Sequence, residues 1–245
     1  MSYGAEKIVP YELDSTGKGI QIELMFDEIA TRYDFLNHAF SMGMDKYWRR
    51  KGILSLKAYS PKNILDVATG TGDLALDACR LLKPEKITGI DISEKMLAIG
   101  REKAVKAGLT DVIYFEKQDC INLQIDSDIF DAAVVAFGIR NFENLDKGLQ
   151  EIHRVMRQGG RLMILELSSP EYFPLKQAYR IYSRLIPIIG QWISRSKTAY
   201  KYLPKSISAF PQNDEMAVIL EKNGFSGVEY RTLSGGICTM YLARK

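Results

Sequence analysis

Residues 62–91, KNILDVATGTGDLALDACRLLKPEKITGID, constrain the fold of this chain more than any other stretch. Asn63 to Ala68 is a short apolar run with β-branched residues, Gly70 and Gly72 permit a sharp turn and a close ligand approach, and helical spacing begins at Leu74. A second strand then ends on Asp91, 21 residues after Gly70. A carboxylate in that place accepts hydrogen bonds from ribose hydroxyls, so the unit predicts an adenosine-binding pocket. The glycine pattern alone also fits a dinucleotide site, and charge separates the two readings. A pyrophosphate needs bare amides at a helix N-terminus, whereas Asp66 and Asp73 on either side of this turn repel it. S-adenosylmethionine carries an ammonium and a sulfonium, which an acidic loop suits.

At 245 residues and 46% hydrophobic, the chain can build one large domain, with or without an inserted lid. A net charge of +3 is too small to argue for nucleic acid, so none is expected as a partner. Cys79, Cys120 and Cys238 are far apart and show neither metal spacing nor a disulfide framework, so no metal is expected and a reducing cytoplasm is the default. The start lacks an apolar signal core, and no stretch approaches the ~18 apolar residues of a membrane span.

Residues 1–18 mix Gly, Pro and charges without period and read as a flexible leader with no catalytic part. The rest, 19–245, reads as one domain: helices over 19–60 cap the ligand edge, and strands at 63–68, 86–91, 112–117, 130–137 and 161–167 alternate with helices at 94–107 and 145–156. That alternation means a parallel sheet covered on both faces, an α/β fold. A helix at 214–223 and two β-rich runs joined at Gly235-Gly236 predict a terminal antiparallel hairpin.

An insertion at 170–212 needs its own explanation. From Tyr172 through Asn213 there is no Asp or Glu, while Lys176, Arg180, Arg184, Arg195, Lys197, Lys201 and Lys205 are cationic. Lys176, Arg180 and Arg184 fall at i, i+4, i+8 on one helical face, among aromatic residues. Such a lid is attracted to an anionic membrane at roughly 1 kcal/mol per nearby cation, so peripheral contact through residues 172–205 is one expectation. A solvated lid helix packed on the sheet is the other.

Two longer stretches, YDFLNHAFSMGMDKYW from Tyr33 and RVMRQGGRLMILELS from Arg154, closely resemble signatures of the ubiquinone/menaquinone biosynthesis C-methyltransferase family. The resemblance runs from about residue 20 to the C-terminus. It implies a Rossmann-like class I S-adenosylmethionine-dependent methyltransferase with a mostly parallel seven-stranded sheet; the cysteines and the basic lid add the expectation of a cytoplasmic protein in peripheral contact with the inner face of the membrane. The implied substrate is a prenylated quinol, with S-adenosylmethionine as co-substrate and no metal. Carried over by position, the cofactor residues are Gly70, Thr71 and Gly72 in the loop, Asp91, and Asp119-Cys120 after the third strand. Three departures stand out. Asp45 occupies a place where the family usually has His, Gln158 one where it usually has Pro or Val before the paired glycines, and Ala136 one where it often has Ser.

Arg140 and Asn141 follow the fourth strand, where a fixed cation and an amide can stabilise a developing phenolate. Tyr33 and Asp34 either complete the pocket wall, relay a proton or form a capping turn. His38 is not assumed to replace the missing histidine. Demethylmenaquinol is the favoured substrate. A benzoquinol, methylation of oxygen or nitrogen on the same core, and a cofactor-binding scaffold are the alternatives. Homodimerisation is left open.

Overall fold

The computed structural model describes residues 2–183 and 197–245, so Arg184 and Arg195 lie outside the described part. The chain opens into helices α1 (Lys18–Phe40) and α2 (Met44–Ser55), broken where the sequence predicts, at Ser41–Gly43. Then follow β1 (Asn63–Val67), α3 (Asp73–Leu82), β2 (Lys86–Asp91), α4 (Glu94–Ala107), β3 (Ile113–Lys117), β4 (Phe130–Ala136), α5 (Leu145–Val155) and β5 (Met156–Leu167). Residues 175–183 form α6 up to the edge of the described region. The chain ends with α7 (Lys197–Ala209), α8 (Asp214–Lys222), β6 (Ser226–Leu233) and β7 (Cys238–Arg244).

The seven strands run in the order β3-β2-β1-β4-β5-β7-β6, with β1 to β5 parallel. The continuous apolar character of β1 is explained by its place between β2 and β4. Ile64, Leu65 and Val67 are fully buried, each such side chain stabilising the fold by about 1.5–3 kcal/mol. One apolar layer packs the sheet against α5 and α8, and a second packs it against α2, α3 and α4. A third joins α1 to α7. The strand order reverses between β1 and β4, and an α/β sheet offers its ligand crevice at that switch point, beyond the carboxyl ends of the strands.

The C-terminal hairpin forms the antiparallel end of the sheet, as expected, with β7 beside β5 and β6 at that edge. The structure departs from the sequence expectations in two places. The fifth strand begins at Met156, five residues early, because its register with β4 shifts between Phe130 and Ala132 and takes in the glycine pair. The expected flexible leader is also packed in part. Residues Gly4–Lys7 form a 3-10 turn, with Ala5 buried, the Tyr3 hydroxyl donating to Asp146 at 2.9 Å, and Glu6 accepting from the Leu145 amide at 2.8 Å. Alternating Gly, Pro and charge hid this, because the turn is held by tertiary partners and has no periodicity of its own.

Candidate active site

The loops after β1 and β4 meet at the switch point, and their backbones are bent to do so. Ala68 and Phe137 both have left-handed φ, at 53° and 60°. A Cβ at Gly138 would lie 2.5 Å from that of Ala68, so only glycine lets the loops close.

A narrow cavity of about 70 Å³ lies along this edge, lined by Gly70, Asp91, Asp119, Cys120, Ala136 and Asn141 among others. Asp91 accepts from the Gly70 amide at 2.8 Å and from the Ser93 amide at 2.9 Å, which fixes its carboxylate at the strand end. Burial pushes its pKa up, against the backbone hydrogen bonds that favour the anion. Asp119 is exposed and accepts from the Ile121 amide. The Cys120 thiol is pushed well up by burial, so it is a packing group rather than a nucleophile.

Thr71 and Gly72 do not line this cavity. The Thr71 hydroxyl is buried, donating to Asp34 at 2.5 Å and accepting from Lys103 at 3.0 Å. Gly72 has φ 78°, and a Cβ there would lie 2.6 Å from the Phe115 ring. The two residues hold the loop in shape. Asp34 is not a capping turn, for α1 continues six residues past it, and its carboxylate pairs with Lys103 at 2.5 Å. Asp73 also meets Lys103, at 2.6 Å, and Arg49, at 3.2 Å. Of the two acids that flank the loop, Asp73 is therefore paired by cations of α2 and α4, while Asp66 accepts from the Thr69 hydroxyl at 2.6 Å.

A second cavity of about 330 Å³ adjoins the first, with Phe26, Tyr33 and Phe137 lining both. Its wall is aromatic and aliphatic, including Phe40, Trp48, Leu175, Tyr179, Tyr182 and Tyr202, and Arg140 also lines it. Arg140 is 6% exposed and Glu166 1%. One Arg140 Nη donates to Glu166 Oε1 at 2.7 Å and to the Phe137 carbonyl, while the Arg140 amide donates to Glu166 Oε2 at 3.2 Å. Burial disfavours the guanidinium charge, but Glu166 outweighs it and holds the pKa above the ordinary value. The Nε of Arg140 is buried without a hydrogen-bond partner among the described residues. Burial raises the phenol of Tyr33, and that of Tyr179 to about 12. Both stay protonated at neutral pH, so each keeps an O–H. Tyr202 donates to Asn141 Oδ1 at 3.0 Å, which orients the Asn141 amide.

Arg140, Tyr33 and Asn141, singled out in the sequence, are thus brought to adjoining cavities. Glu166, Lys18, Lys103 and Tyr179 were not singled out as site residues. Glu166 had a readable signal: an acid inside the buried run RLMILEL requires a cationic partner. Lys18 had none. Its Nζ donates to the carbonyls of Ala5 at 2.7 Å and of Arg140 and Phe142 at 3.3 Å each. Asp45 lines the larger cavity, and His38, seven residues earlier, does meet it, with Nδ1 to Oδ2 at 2.7 Å. Ser41 and Arg49 also bond Asp45, and these partners hold its carboxyl low despite burial. So bound, it is a poor base. Among the described residues no group of acids, His and Cys has metal-binding geometry.

The sequence profile of the ubiE/COQ5 methyltransferase family matches residues 15–245. A demethylmenaquinone methyltransferase from Bacteroides fragilis is 52% identical over 246 residues, covering 100% of both chains. One from Porphyromonas gingivalis is 46% identical over 242 residues, covering 98% of both. Among solved structures, a SAM-dependent methyltransferase from Thermotoga maritima superposes with a TM-score of 0.62 at 17% identity, covering 91% of this chain and 99% of that one, a likeness of fold.

Proposed function

The chain belongs to the ubiE/COQ5 methyltransferase family, and from that premise we propose that it transfers the methyl group of S-adenosylmethionine to a ring carbon of demethylmenaquinol, giving menaquinol. The observation that carries this reading is the pair of adjoining cavities: one at the sheet edge built around Asp91, the other aromatic and holding a buried Arg140. Relatives that are nearly half identical or more over almost their full length bear the name demethylmenaquinone methyltransferase.

The donor set fits the co-substrate. Asp91 suits ribose hydroxyls, Asp119 an adenine amino group, and the Cys120 amide a ring nitrogen, and these two carboxylates, which line the first cavity, suit a cationic co-substrate. When bound, S-adenosylmethionine supplies an electrophilic methyl group. The remaining work falls to the chain. Phe26, Tyr33 and Phe137 at the shared wall hold the acceptor ring against the first cavity and exclude water. Arg140 favours ionisation of the ring hydroxyl beside the reacting carbon and stabilises the charge that remains there. The Asn141 amide and the Tyr33 phenol donate to oxygens of the ring. A ring carbon made electron-rich in this way is the nucleophile: the C–CH₃ bond forms as the S–CH₃ bond breaks, leaving S-adenosylhomocysteine. The proton on the methylated carbon then leaves while the ring oxygen is reprotonated, and the proton lost on ionisation passes to solvent.

The apolar part of the second cavity takes the prenyl tail, and Leu175 and Tyr179 place α6 beside it. Near them Tyr172 is 78% and Phe173 80% exposed, and Lys176 and Arg180 are exposed as well. These residues support peripheral contact with an anionic bilayer at its inner face, from which the quinol would be drawn. Among the described residues no helix is long and apolar enough to cross a membrane. The reading is tested by profiling quinones in cells lacking the gene. Accumulated demethylmenaquinone supports it, and an unchanged menaquinone pool contradicts it.

A further inference from the structure

The peptide that carries Arg140 is held from two sides. Its N–H donates to the Glu166 carboxylate at 3.2 Å, and its carbonyl accepts from the Lys18 ammonium at 3.3 Å. The same ammonium reaches the Phe142 carbonyl at 3.3 Å and the Ala5 carbonyl at 2.7 Å, so each of its three N–H groups has an acceptor. Lys18 thereby brackets the 3-10 turn Ile139–Asn141 and ties it to the turn Gly4–Lys7.

The neighbouring groups complete the arrangement. Glu143 follows the bracketed turn and accepts from the Gly19 amide at 3.2 Å, placing a carboxylate at the N-terminus of α1. Glu6 and Glu143 favour the Lys18 charge, and Arg140 opposes it. Burial outweighs the acids and brings the Lys18 pKa down to about 8. Lys18 is 4% exposed, so its charge is retained in a place where it is costly. An apolar side chain would fill the space without that cost. What it could not do is hold two carbonyls of one short turn at fixed positions.

We propose that Lys18 is a positioning residue for methyl transfer: by clamping the carbonyls of Arg140 and Phe142 it sets the placement of the Arg140 guanidinium and the Asn141 amide toward the acceptor ring. Where turnover is concerned, this rests on the methyl-transfer reading above. The leader, which has no part in the chemistry, becomes the outer anchor of the catalytic turn.

The test compares Lys18→Met with the wild type. The variant should lose on the order of 100-fold in kcat, the scale of a misplaced catalytic group, while its dissociation constant for S-adenosylhomocysteine stays within about twofold. Because Lys18 works through the Arg140 turn, a Lys18→Met/Arg140→Met double variant should be no slower than Arg140→Met alone. Turnover of Lys18→Met close to wild type, or losses that add in the double variant, would overturn the proposal. Native-state hydrogen exchange on the unsubstituted protein needs neither substrate nor variant, so it stands apart from the quinol reading and from any folding defect. Residues 3–8 and 138–143 should open as one unit with a common free energy. Separate opening of the two segments would refute the clamp.

Discussion

Glu166→Gln is the change whose outcome follows most directly from the geometry. Glu166 Oε1 accepts from Arg140 Nη1 and from the Leu167 amide at 2.8 Å, and Oε2 accepts from the Arg140 amide. An amide in its place must turn its NH₂ toward one set of donors or the other, and neither orientation satisfies all three. Arg140 meanwhile keeps its charge without its counterion. Breaking a buried pair by removing one partner costs about 3–5 kcal/mol, which at roughly 2–4 °C per kcal/mol for a chain of this size lowers Tm by on the order of 10 °C. Calorimetry or circular dichroism reads that shift. Turnover below the melting range should fall by about 100-fold, since the guanidinium is no longer held in place. An apolar double variant, Arg140→Met/Glu166→Leu, should regain part of the stability, since the Arg140 and Leu167 amides still lack their acceptor, and none of the turnover. A Glu166→Gln protein with wild-type Tm and turnover would refute the assignment of Glu166 as the anchor of Arg140.

Three further outcomes are expected. Arg140→Ala should lower kcat by about 100-fold or more with little change in cofactor affinity, and Asp91→Ala should weaken S-adenosylhomocysteine binding by about 1–3 kcal/mol in titration calorimetry; equal effects of the two changes on both quantities would dissolve the division of roles. Gly72→Ala should destabilise the fold by about 1–3 kcal/mol in denaturant unfolding, because the new Cβ meets Phe115 at 2.6 Å on a backbone with φ 78°; an unchanged midpoint would show that the loop has room. Asp66 is buried, and desolvation raises its pKa to about 7. The folded state therefore holds a proton that the unfolded state releases, and this contribution to stability, full below pH 4, is lost as pH rises through about 7. Asp66→Asn should flatten that decline in Tm, and an identical pH profile would place its cause elsewhere.

Most of the sheet was legible because β1, β2 and β4 are buried on both faces and read as apolar runs, and because the alternation with helices fixes a parallel order. The insertion of β7 between β5 and β6 was not legible, since a hairpin signal fixes the pairing of two strands and leaves open which one meets the sheet. In the candidate site, the place of Asp91 at one cavity was readable from its distance to the glycine loop, and that of Arg140 at the other from its position after β4. Thr71 shows the limit of position alone. It sits in the loop as expected, yet its hydroxyl is engaged by Asp34 and Lys103. Lys18 and Glu166 act on Arg140 across 122 and 26 residues of chain, through partners that only the fold brings together.

The central claim is that a methyl group passes from a sulfonium at the sheet edge to a ring carbon in the neighbouring aromatic cavity. Incubating the purified protein with S-adenosylmethionine bearing a trideuterated methyl group and a short-chain demethylmenaquinol tests it in one step. Mass spectrometry and NMR of the product should show an intact CD₃ on the quinone ring carbon, with S-adenosylhomocysteine formed in equal amount. Label found on oxygen, or none transferred by a protein that binds S-adenosylhomocysteine, would contradict the account.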